Sequence, residues 1–310
     1  MKILISSRSF GKIKSGAIDI LKEKGLEIIL NPYGRKLNEE ELLDLLDDVV
    51  GIIAGTENIT KKIISAANQL KVISRYGVGI DNIDIKSAKK RKILVFNTPE
   101  APTTAVAELT LSLMLNLLKK ISLLDRRIRD NLWKPKIGNL LSGLTIGIVG
   151  LGRIGKKLVQ FLEPFKVNFL VYEINPDTKF VSDHKINLVP FTTLLSKSDI
   201  ISFHIPLTKE TSHIIGKKEL NLMKKNAILI NTARGGLVDE EALYKSLKDN
   251  EIAGAAIDAF EEEPYTGKLK TLDNVIITPH IGSFTIETRK HMEIEAVNNL
   301  ILGLKKAKII

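Results

Sequence analysis

The stretch IVGLGRIGKKLV, residues 148–159, decides the fold that we expect for this chain. An apolar run leads into Gly150, Gly152 and Gly155, which have the G-x-G-x-x-G spacing, and an amphipathic segment follows. In a strand–turn–helix unit the first glycine makes the tight turn, the second lets the backbone approach a pyrophosphate, and the third lets the helix pack against the sheet. The helix N-terminus would present free amides to the phosphates. The stretch therefore predicts a dinucleotide site that begins near the middle of the chain.

An acidic residue at the end of the next predicted strand strengthens this prediction. Glu173 follows Gly155 by 18 residues, which is close to the spacing of the carboxylate that binds the adenosine ribose in such sites. A carboxylate accepts hydrogen bonds from ribose hydroxyls and repels a 2′-phosphate, so we expect NAD rather than NADP as the cofactor. The alternative is a tight turn followed by an unrelated surface glutamate.

Strand and helix patterns alternate on both sides of the glycine stretch. Before it, apolar runs predict strands at 2–6, 26–30, 49–55, 71–74 and 93–96. The helical patterns between them include Asn38 and Thr60 as candidate N-caps. From the glycine stretch onward, we expect strands at 144–150, 168–173, 199–203, 227–231, 252–258 and 274–278, and then a helix from 286 to 304.

Residues 101–129 differ, because they have long helical patterns without a strand. Alternating strands and helices form parallel sheets covered by helices. We therefore predict an α/β fold with two doubly wound parallel-sheet domains.

Composition narrows the function classes. The chain has no cysteine, which excludes disulfides, thiolate metal sites and a cysteine nucleophile, and we expect no metal. No apolar run approaches the roughly 18 residues that cross a bilayer, so we expect a cytoplasmic protein with no membrane partner.

The formal net charge is +10, but it comes mostly from scattered lysines, which favours a solvated surface over a nucleic-acid site. A nucleic-acid binder with steep salt dependence remains an alternative.

Polar residues follow three of the later predicted strands. Arg234, Glu263 and His280 each lie just beyond such a strand, and the carboxyl ends of strands line the ligand crevice of a doubly wound sheet. His280 would exchange a proton with the substrate hydroxyl, and Glu263 would fix its tautomer. Arg234 would bind a substrate carboxylate. Singly, each residue could have a purely structural role, but together they predict hydride transfer at a carbon that carries a hydroxyl group.

Over nearly its full length the sequence resembles the D-isomer-specific 2-hydroxyacid dehydrogenases, and within them the 3-phosphoglycerate dehydrogenase group. The matching segments are ISRYGVGIDNID (73–84), NTP (97–99), AVAELT (105–110), GIVGLGRIGKK (147–157), HIPLT (204–208), NTARGGLVDEEAL (231–243), AAIDAFEEEP (255–264) and TPHIGS (278–283). The resemblance implies a flavodoxin-like substrate-binding domain at 1–100 and 285–310. It also implies an inserted Rossmann domain at 101–284, with dimerisation helices at its start and a homodimer.

The resemblance also implies roles for individual residues. Arg234, Glu263 and His280 occupy the family's catalytic positions. Besides the three glycines, NAD would contact Arg153, Ile154, Glu173, Ile205, Pro206, Thr232, Ala233, Asp258, Gly282 and Ser283. The 2-hydroxy or 2-keto acid would contact Arg75, Val78, Gly79, Asn97 and Arg234. The regulatory domains that follow the last helix in many phosphoglycerate dehydrogenases have no counterpart in this sequence, so we expect no inhibition by serine.

The substrate itself stays open between two readings. The leading expectation is oxidation of D-3-phosphoglycerate to 3-phosphohydroxypyruvate in serine biosynthesis. The loop that contains the family's phosphate-binding basic residues, however, reads AGTENIT at 54–60 and has no cation. Phosphate would then be bound by Arg75, Arg35 or a lysine; otherwise the enzyme reduces glyoxylate, hydroxypyruvate or a lactate-type keto acid. An alternative from another class is an NAD(H)-sensing protein similar to the C-terminal-binding corepressors, which keep the same three residues.

Overall fold

The computed structural model describes all 310 residues of the chain. The strands are β1 (Lys2–Ile5), β2 (Glu27–Leu30), β3 (Val49–Ala54), β4 (Val72–Arg75), β5 (Leu94–Phe96), β6 (Thr145–Val149), β7 (Asn168–Tyr172), β8 (Asn187–Leu188), β9 (Ile200–Phe203), β10 (Ile228–Asn231), β11 (Gly254–Ile257) and β12 (Val275–Ile277). The α-helices are α1 (Ala17–Glu23), α2 (Glu39–Leu45), α3 (Lys61–Ala66), α4 (Ile85–Lys90), α5 (Thr103–Lys119), α6 (Ile121–Arg129), α7 (Arg153–Leu162), α8 (Thr178–Asp183), α9 (Phe191–Lys197), α10 (Lys217–Leu222), α11 (Glu240–Lys248) and α12 (Ile286–Lys306).

The chain divides into two compact units. The first comprises Met1–Pro102 and Phe284–Ile310, and the second comprises Thr103–Ser283. Every strand pairs in parallel with its neighbours. The predicted fold class, with two parallel-sheet α/β domains, is confirmed.

The first unit contains a five-stranded sheet in the order β2-β1-β3-β4-β5. Side chains of β1, β3 and β4 are buried on both faces, because α12 and α1 cover one face while α2, α3 and α4 cover the other. Gly303 of α12 lies so close to β4 that a Cβ atom would come within 2.6 Å of Val72. The sequence prediction of N-caps was right at both positions, since the side chains of Asn38 and Thr60 accept backbone N–H groups of α2 and α3.

The second unit contains a seven-stranded sheet in the order β12-β11-β10-β9-β6-β7-β8. Helices α5 and α7 pack on one face, with Met114 and Leu158 among the buried side chains. Helices α9, α10 and α11 cover the other face. From β6 the chain adds β7 and β8 on one side and then β9 to β12 on the other side. The strand order therefore reverses between β6 and β9, which is the switch point of this sheet.

Two differences from the sequence prediction are small and local. Strand β8 was not predicted, because it is two exposed residues at the sheet edge and has no apolar pattern. Several predicted strands are one to three residues shorter in the structure, because residues at one or both of their ends belong to the connecting loops. No helix has both the length and the apolar composition needed to cross a bilayer.

Candidate functional site

The glycine turn has the geometry that a pyrophosphate requires. Gly150 has φ +96°, and a Cβ atom there would lie 2.7 Å from the carbonyl oxygen of His204. A Cβ atom at Gly155 would collide with the carbonyl oxygen of Gly150, so this glycine allows α7 to pack against the turn. At Gly152, in contrast, a Cβ atom would meet nothing within 4 Å. The space beside Gly152 is therefore open to a ligand.

The N-terminus of α7 faces this open space with uncapped amides. Gly152 is the N-cap and has no side chain, so none of the first N–H groups of the helix is bonded by a capping side chain. Arg153 is exposed and Ile154 is half-buried at the start of the helix. Free amides at a helix N-terminus favour an anion. These residues fit the phosphates of a dinucleotide.

Glu173 lies beside the glycine turn, immediately after β7. One carboxylate oxygen accepts the N–H of Leu151 at 2.7 Å, and the other accepts the N–H of Asn175 at 2.9 Å. These bonds hold a negative charge next to the turn. The arrangement fits an adenosine ribose and opposes a 2′-phosphate, which agrees with NAD as the cofactor.

Four more of the expected cofactor residues follow strands β9 and β10. Ile205 and Pro206 follow β9, and Thr232 and Ala233 follow β10, all at the carboxyl edge of the sheet. The hydroxyl of Thr232 lies 2.9 Å from that of Thr110 on α5, and both side chains are buried. Sequence reasoning did not single out Thr110, because the two threonines are 122 positions apart.

His204 has an unusual environment at the end of β9. Its Nε2 lies 3.0 Å from the hydroxyl of Ser202, while its Nδ1 is buried without a hydrogen-bond partner. Desolvation lowers the pKa of His204 to about 4, so the imidazole is neutral at physiological pH.

The loop that contains Arg234 packs closely against the loop that contains Glu263, and Gly235 lies at the contact. Gly235 follows Arg234, and a Cβ atom at Gly235 would collide with the backbone of Phe260. Asn231 donates its side-chain amide to the carbonyl oxygen of Arg234 at 2.8 Å. On the other loop, the N–H of Phe260 donates to a carboxylate oxygen of Glu263 at 3.1 Å. The close contact thus fixes the backbone of Arg234 relative to that of Glu263.

His280 and Glu263 form a hydrogen-bonded pair. Nδ1 of His280 lies 2.9 Å and 3.1 Å from the two carboxylate oxygens of Glu263. Partial burial alone would raise the pKa of Glu263, but the hydrogen bond and charge of His280, the N–H of Phe260 and the charge of Arg234 outweigh it and lower that pKa. Nε2 of His280 makes no hydrogen bond within the protein, and the side chain is about half exposed. The pair can therefore exchange a proton with a ligand through Nε2.

Asp258 anchors the turn that contains His280. Its carboxylate is fully buried and accepts the hydroxyl of Thr278 at 2.6 Å and the N–H groups of Ile281 and Gly282 at 2.8 Å and 3.0 Å. His280 itself has φ +53°, a left-handed conformation that needs support from its surroundings. From the sequence Asp258 was expected only to contact NAD, since the spacing did not reveal these long-range hydrogen bonds.

In the first unit, the expected substrate residues lie together at the carboxyl edge of the sheet. Asn97 donates its side-chain amide to the carbonyl oxygen of Val78 at 2.6 Å. Gly77 donates its N–H to the hydroxyl of Thr98 at 2.9 Å, which joins the loop after β4 to the loop after β5. Val78 is exposed and Gly79 is half-buried. The guanidinium of Arg75 is turned toward the carbonyl oxygen of Tyr76, to which it donates a hydrogen bond.

The chain is similar to known dehydrogenases in its sequence. The model of the family "D-isomer specific 2-hydroxyacid dehydrogenase, NAD binding domain" matches residues 111–282. The chain is 44% identical to a glyoxylate reductase of Thermococcus litoralis, over 88% of this chain and 84% of that enzyme. It is 41% identical to a D-3-phosphoglycerate dehydrogenase of Methanocaldococcus jannaschii, over 94% of this chain and 55% of that enzyme.

The fold also matches that of solved structures. A D-lactate dehydrogenase from Aquifex aeolicus, solved with NAD and lactic acid, superposes with a TM-score of 0.85 at 27% identity. The match covers 100% of this chain and 96% of that one. Both the sequence and the fold of the chain are thus similar to those of enzymes that act on 2-hydroxy or 2-keto acids.

Proposed function

The chain belongs to the D-isomer-specific 2-hydroxyacid dehydrogenase family and is an NAD-dependent oxidoreductase, and within this family we propose that it interconverts D-3-phosphoglycerate and 3-phosphohydroxypyruvate. The observation that carries the chemistry is the His280–Glu263 pair, with its contacts of 2.9 Å and 3.1 Å. NAD, when bound, accepts the hydride from the hydroxyl-bearing carbon or returns it. All other steps are proton transfer and substrate binding by protein groups.

In this proposal His280 is the acid–base residue. Its Nε2 takes the hydroxyl proton of the substrate during oxidation and returns it during reduction. Glu263 holds Nδ1 and thereby selects the tautomer with a free Nε2, and its negative charge stabilises the imidazolium that forms. Arg234 binds the substrate carboxylate and polarises the reacting carbonyl, because a guanidinium donates two parallel hydrogen bonds.

The proposal also assigns residues of the first unit to the substrate. Backbone amides of Val78 and Gly79 bind the carboxylate, and Arg75 supplies positive charge beside them. Asn97 supports this loop through its hydrogen bond to the carbonyl oxygen of Val78. Because this hydrogen bond already orders the loop, the loop loses less conformational entropy when the substrate binds.

Reduction of glyoxylate or hydroxypyruvate is the second candidate function. It is favoured by the match to the Thermococcus litoralis glyoxylate reductase and by the loop at 54–60, which has a carboxylate, Glu57, and no cation. The match to the Methanocaldococcus jannaschii enzyme supports the phosphorylated substrate. A direct comparison of substrates decides between them.

The test is steady-state reduction of NAD⁺ with D-3-phosphoglycerate, measured beside oxidation of NADH with 3-phosphohydroxypyruvate, glyoxylate, hydroxypyruvate and pyruvate. We expect the highest kcat/KM with the phosphorylated pair. A tenfold preference for an unphosphorylated keto acid would favour the second candidate. Absence of turnover with every substrate, together with NADH-dependent binding of a protein partner, would favour the corepressor-like alternative.

The acid–base assignment has its own test. His280→Ala should lower kcat by about two orders of magnitude or more, as expected for loss of a general acid–base group, and should leave the Kd of NADH nearly unchanged by fluorescence titration. His291→Ala is the matched control, because His291 is exposed on α12 and has no role in this proposal. Equal kcat values for the two variants would refute the assignment.

We also propose a homodimer that forms through α6 and the segment after it. Apolar side chains are exposed along this part of the second unit, with Trp133 87% and Ile137 92% exposed. Ile128 and Leu132 are also more than half exposed, and a contiguous patch of exposed apolar side chains would mark an interaction site. Sedimentation should give a dimer at micromolar concentration, and Ile137→Lys should shift the equilibrium toward monomer. A monomeric wild-type chain would contradict the proposal.

A further inference from the structure

The crevice at the switch point of the first sheet contains a candidate anion site. In the order β2-β1-β3-β4-β5, β2 lies on one side of β1, and β3, β4 and β5 lie on the other side. The strand order therefore reverses between β1 and β3. Ligands of doubly wound sheets bind outside the carboxyl ends of the strands at this point, here between β1 and β3. The residues that follow β1 are Ser6, Ser7, Arg8 and Ser9, and those that follow β3 are Gly55, Thr56 and Glu57.

The β3 side of this crevice cannot supply positive charge. Glu57 is only 2% exposed, and its carboxylate accepts the N–H of Gly55 at 2.7 Å and the hydroxyl of Ser6. A Cβ atom at Gly55 would lie 2.8 Å from that carboxylate and 3.0 Å from the Cα of Ser7. The loop after β3 is therefore closely packed against the loop after β1, and it adds negative charge to the crevice.

The loop after β1 contains an arginine between two serines in the sequence. Arg8 is exposed and makes no hydrogen bond or ion pair within the protein. The hydroxyls of Ser7 and Ser9, on either side of it, lie 3.3 Å apart. The guanidinium of Arg8 and the hydroxyls of the two neighbouring residues are hydrogen-bond donors of the kind that a phosphate group requires.

Helix α12 holds this loop in place beyond Arg8. Arg289 donates to the hydroxyl of Ser9 at 2.6 Å, and its guanidinium lies over the rings of Tyr76 and Phe284 at 4.9 Å and 4.2 Å. Glu293 is fully buried and accepts the N–H of Gly11 at 2.8 Å. Buried groups thus fix the loop before a ligand arrives, and such pre-organisation lowers the entropic cost of binding.

The other arginines on this edge of the sheet already have partners. Arg35, in the loop after β2, donates to both carboxylate oxygens of Glu41, one of them at 2.9 Å. Arg75, at the end of β4, donates to the carbonyl oxygen of Tyr76. Among these three arginines, Arg8 is therefore the one whose donors are available to a ligand.

We propose that Arg8, with the hydroxyls of Ser7 and Ser9, binds the phosphate ester of a phosphorylated 2-hydroxy acid and is the residue that sets the preference for such a substrate. This inference rests on the proposed function and adds a recognition residue to it. Arginine suits this role, because its planar fork of donors matches two phosphate oxygens. In this proposal the phosphate-binding cation comes from the loop after β1. The loop after β3 cannot supply it, because that loop contains the carboxylate of Glu57 and no cation.

The test compares two substrates that differ in the phosphate ester. For wild type, Arg8→Gln, Arg8→Lys and Arg35→Gln, kcat/KM is measured for NADH oxidation with 3-phosphohydroxypyruvate and with glyoxylate. Arg35→Gln is the matched control, since it removes the same charge from the next loop along the edge. Inhibition of glyoxylate reduction by inorganic phosphate is measured for the same four proteins.

Arg8→Gln should lower kcat/KM for 3-phosphohydroxypyruvate by roughly 10- to 100-fold, the size expected for a lost charge-assisted hydrogen-bond pair. It should change the value for glyoxylate less than twofold and should abolish competitive inhibition by phosphate. Arg8→Lys should retain part of the activity, and Arg35→Gln should match wild type. Because Arg8 is exposed and makes no hydrogen bond within the protein, we expect wild type and the two Arg8 variants to have equal thermal unfolding temperatures.

Equal losses with both substrates, or no loss with the phosphorylated one, would overturn the assignment of Arg8. Failure of the proposed function looks different, because it is seen in the wild-type enzyme before any variant is compared. A wild-type enzyme that turns over glyoxylate but not 3-phosphohydroxypyruvate would contradict the proposed substrate, and with it the assignment of Arg8. A wild-type enzyme that turns over none of the keto acids would contradict the proposed activity altogether.

Discussion

Replacement of Asp258 by asparagine tests how the turn of His280 is held. The carboxylate accepts three hydrogen bonds in a fully buried position, two at one oxygen and one at the other. Asparagine has nearly the same shape but has one acceptor oxygen and one NH₂ group. If the oxygen stays near Thr278 and Ile281, the NH₂ group faces the N–H of Gly282, and two donors then oppose each other.

The magnitude follows from the three bonds. A hydrogen bond to a charged acceptor contributes about 1.5–3 kcal/mol, and one to a neutral acceptor about 1 kcal/mol. Asp258→Asn loses the bond to Gly282 and weakens the other two, so the free energy of unfolding should fall by about 3–5 kcal/mol. For a unit of this size we expect the unfolding temperature to fall by about 10 °C. Because the turn loses its anchor, kcat should fall at least tenfold.

The assays are thermal unfolding, steady-state kinetics and titration with NADH. Asp199→Asn is the matched control, because Asp199 accepts the N–H of Thr145 at 2.9 Å and the ammonium group of Lys224 at 2.8 Å. It lies before β9, at the opposite edge of the sheet. This control should lower the unfolding temperature but leave kcat within twofold of wild type.

One pattern of results would refute the reasoning. If Asp258→Asn weakens NADH binding and leaves both kcat and the unfolding temperature unchanged, Asp258 acts on the cofactor and does not anchor the turn. A loss of kcat in Asp199→Asn as large as that in Asp258→Asn would also refute it, since general destabilisation would then account for both.

Three further predictions concern other parts of the second unit. Gly235→Ala should lower both kcat and the unfolding temperature, because the new methyl group would collide with the backbone of Phe260; wild-type values in kinetics and calorimetry would contradict this. The folded-state pKa of His204 is about 4, against an ordinary value of 6.5. The unfolded chain therefore binds more protons between these pH values, so wild-type stability should decline as the pH falls through this window, by up to about 3 kcal/mol. His204→Gln should remove that part of the pH dependence in denaturant titrations. Glu173→Gln should lower the ratio of kcat/KM for NAD⁺ to that for NADP⁺ at least tenfold, because the repulsion of a 2′-phosphate is lost, and an unchanged ratio would place cofactor selection elsewhere.

Much of the site could be predicted from motifs whose residues lie close together in the sequence. The spacing of Gly150, Gly152 and Gly155 predicted the turn, and the structure has an open space at the second glycine and close backbone contacts at the other two. The alternation of apolar runs with amphipathic segments predicted both sheets. These features depend on local geometry, because a turn, a helix start or a strand is decided by neighbouring residues.

The roles of Arg234, Glu263 and His280 were predicted from their positions after strands and from the family motifs. That prediction required only that the carboxyl ends of parallel strands share one edge. The distances between His280 and Glu263 came only from the structure, since the two residues are 17 positions apart and a strand lies between them.

The sequence by itself determined the class of the fold, the cofactor turn and the family, because each is specified by residues close together along the chain. Only the tertiary structure decided that Asp258 anchors the His280 turn, that the buried Glu57 accepts hydrogen bonds from Gly55 and Ser6, and that Arg8 is left without a partner in the protein. These contacts join residues far apart along the chain. They form only when packing of the helices and sheets brings the loops together, so residue spacing could not reveal them.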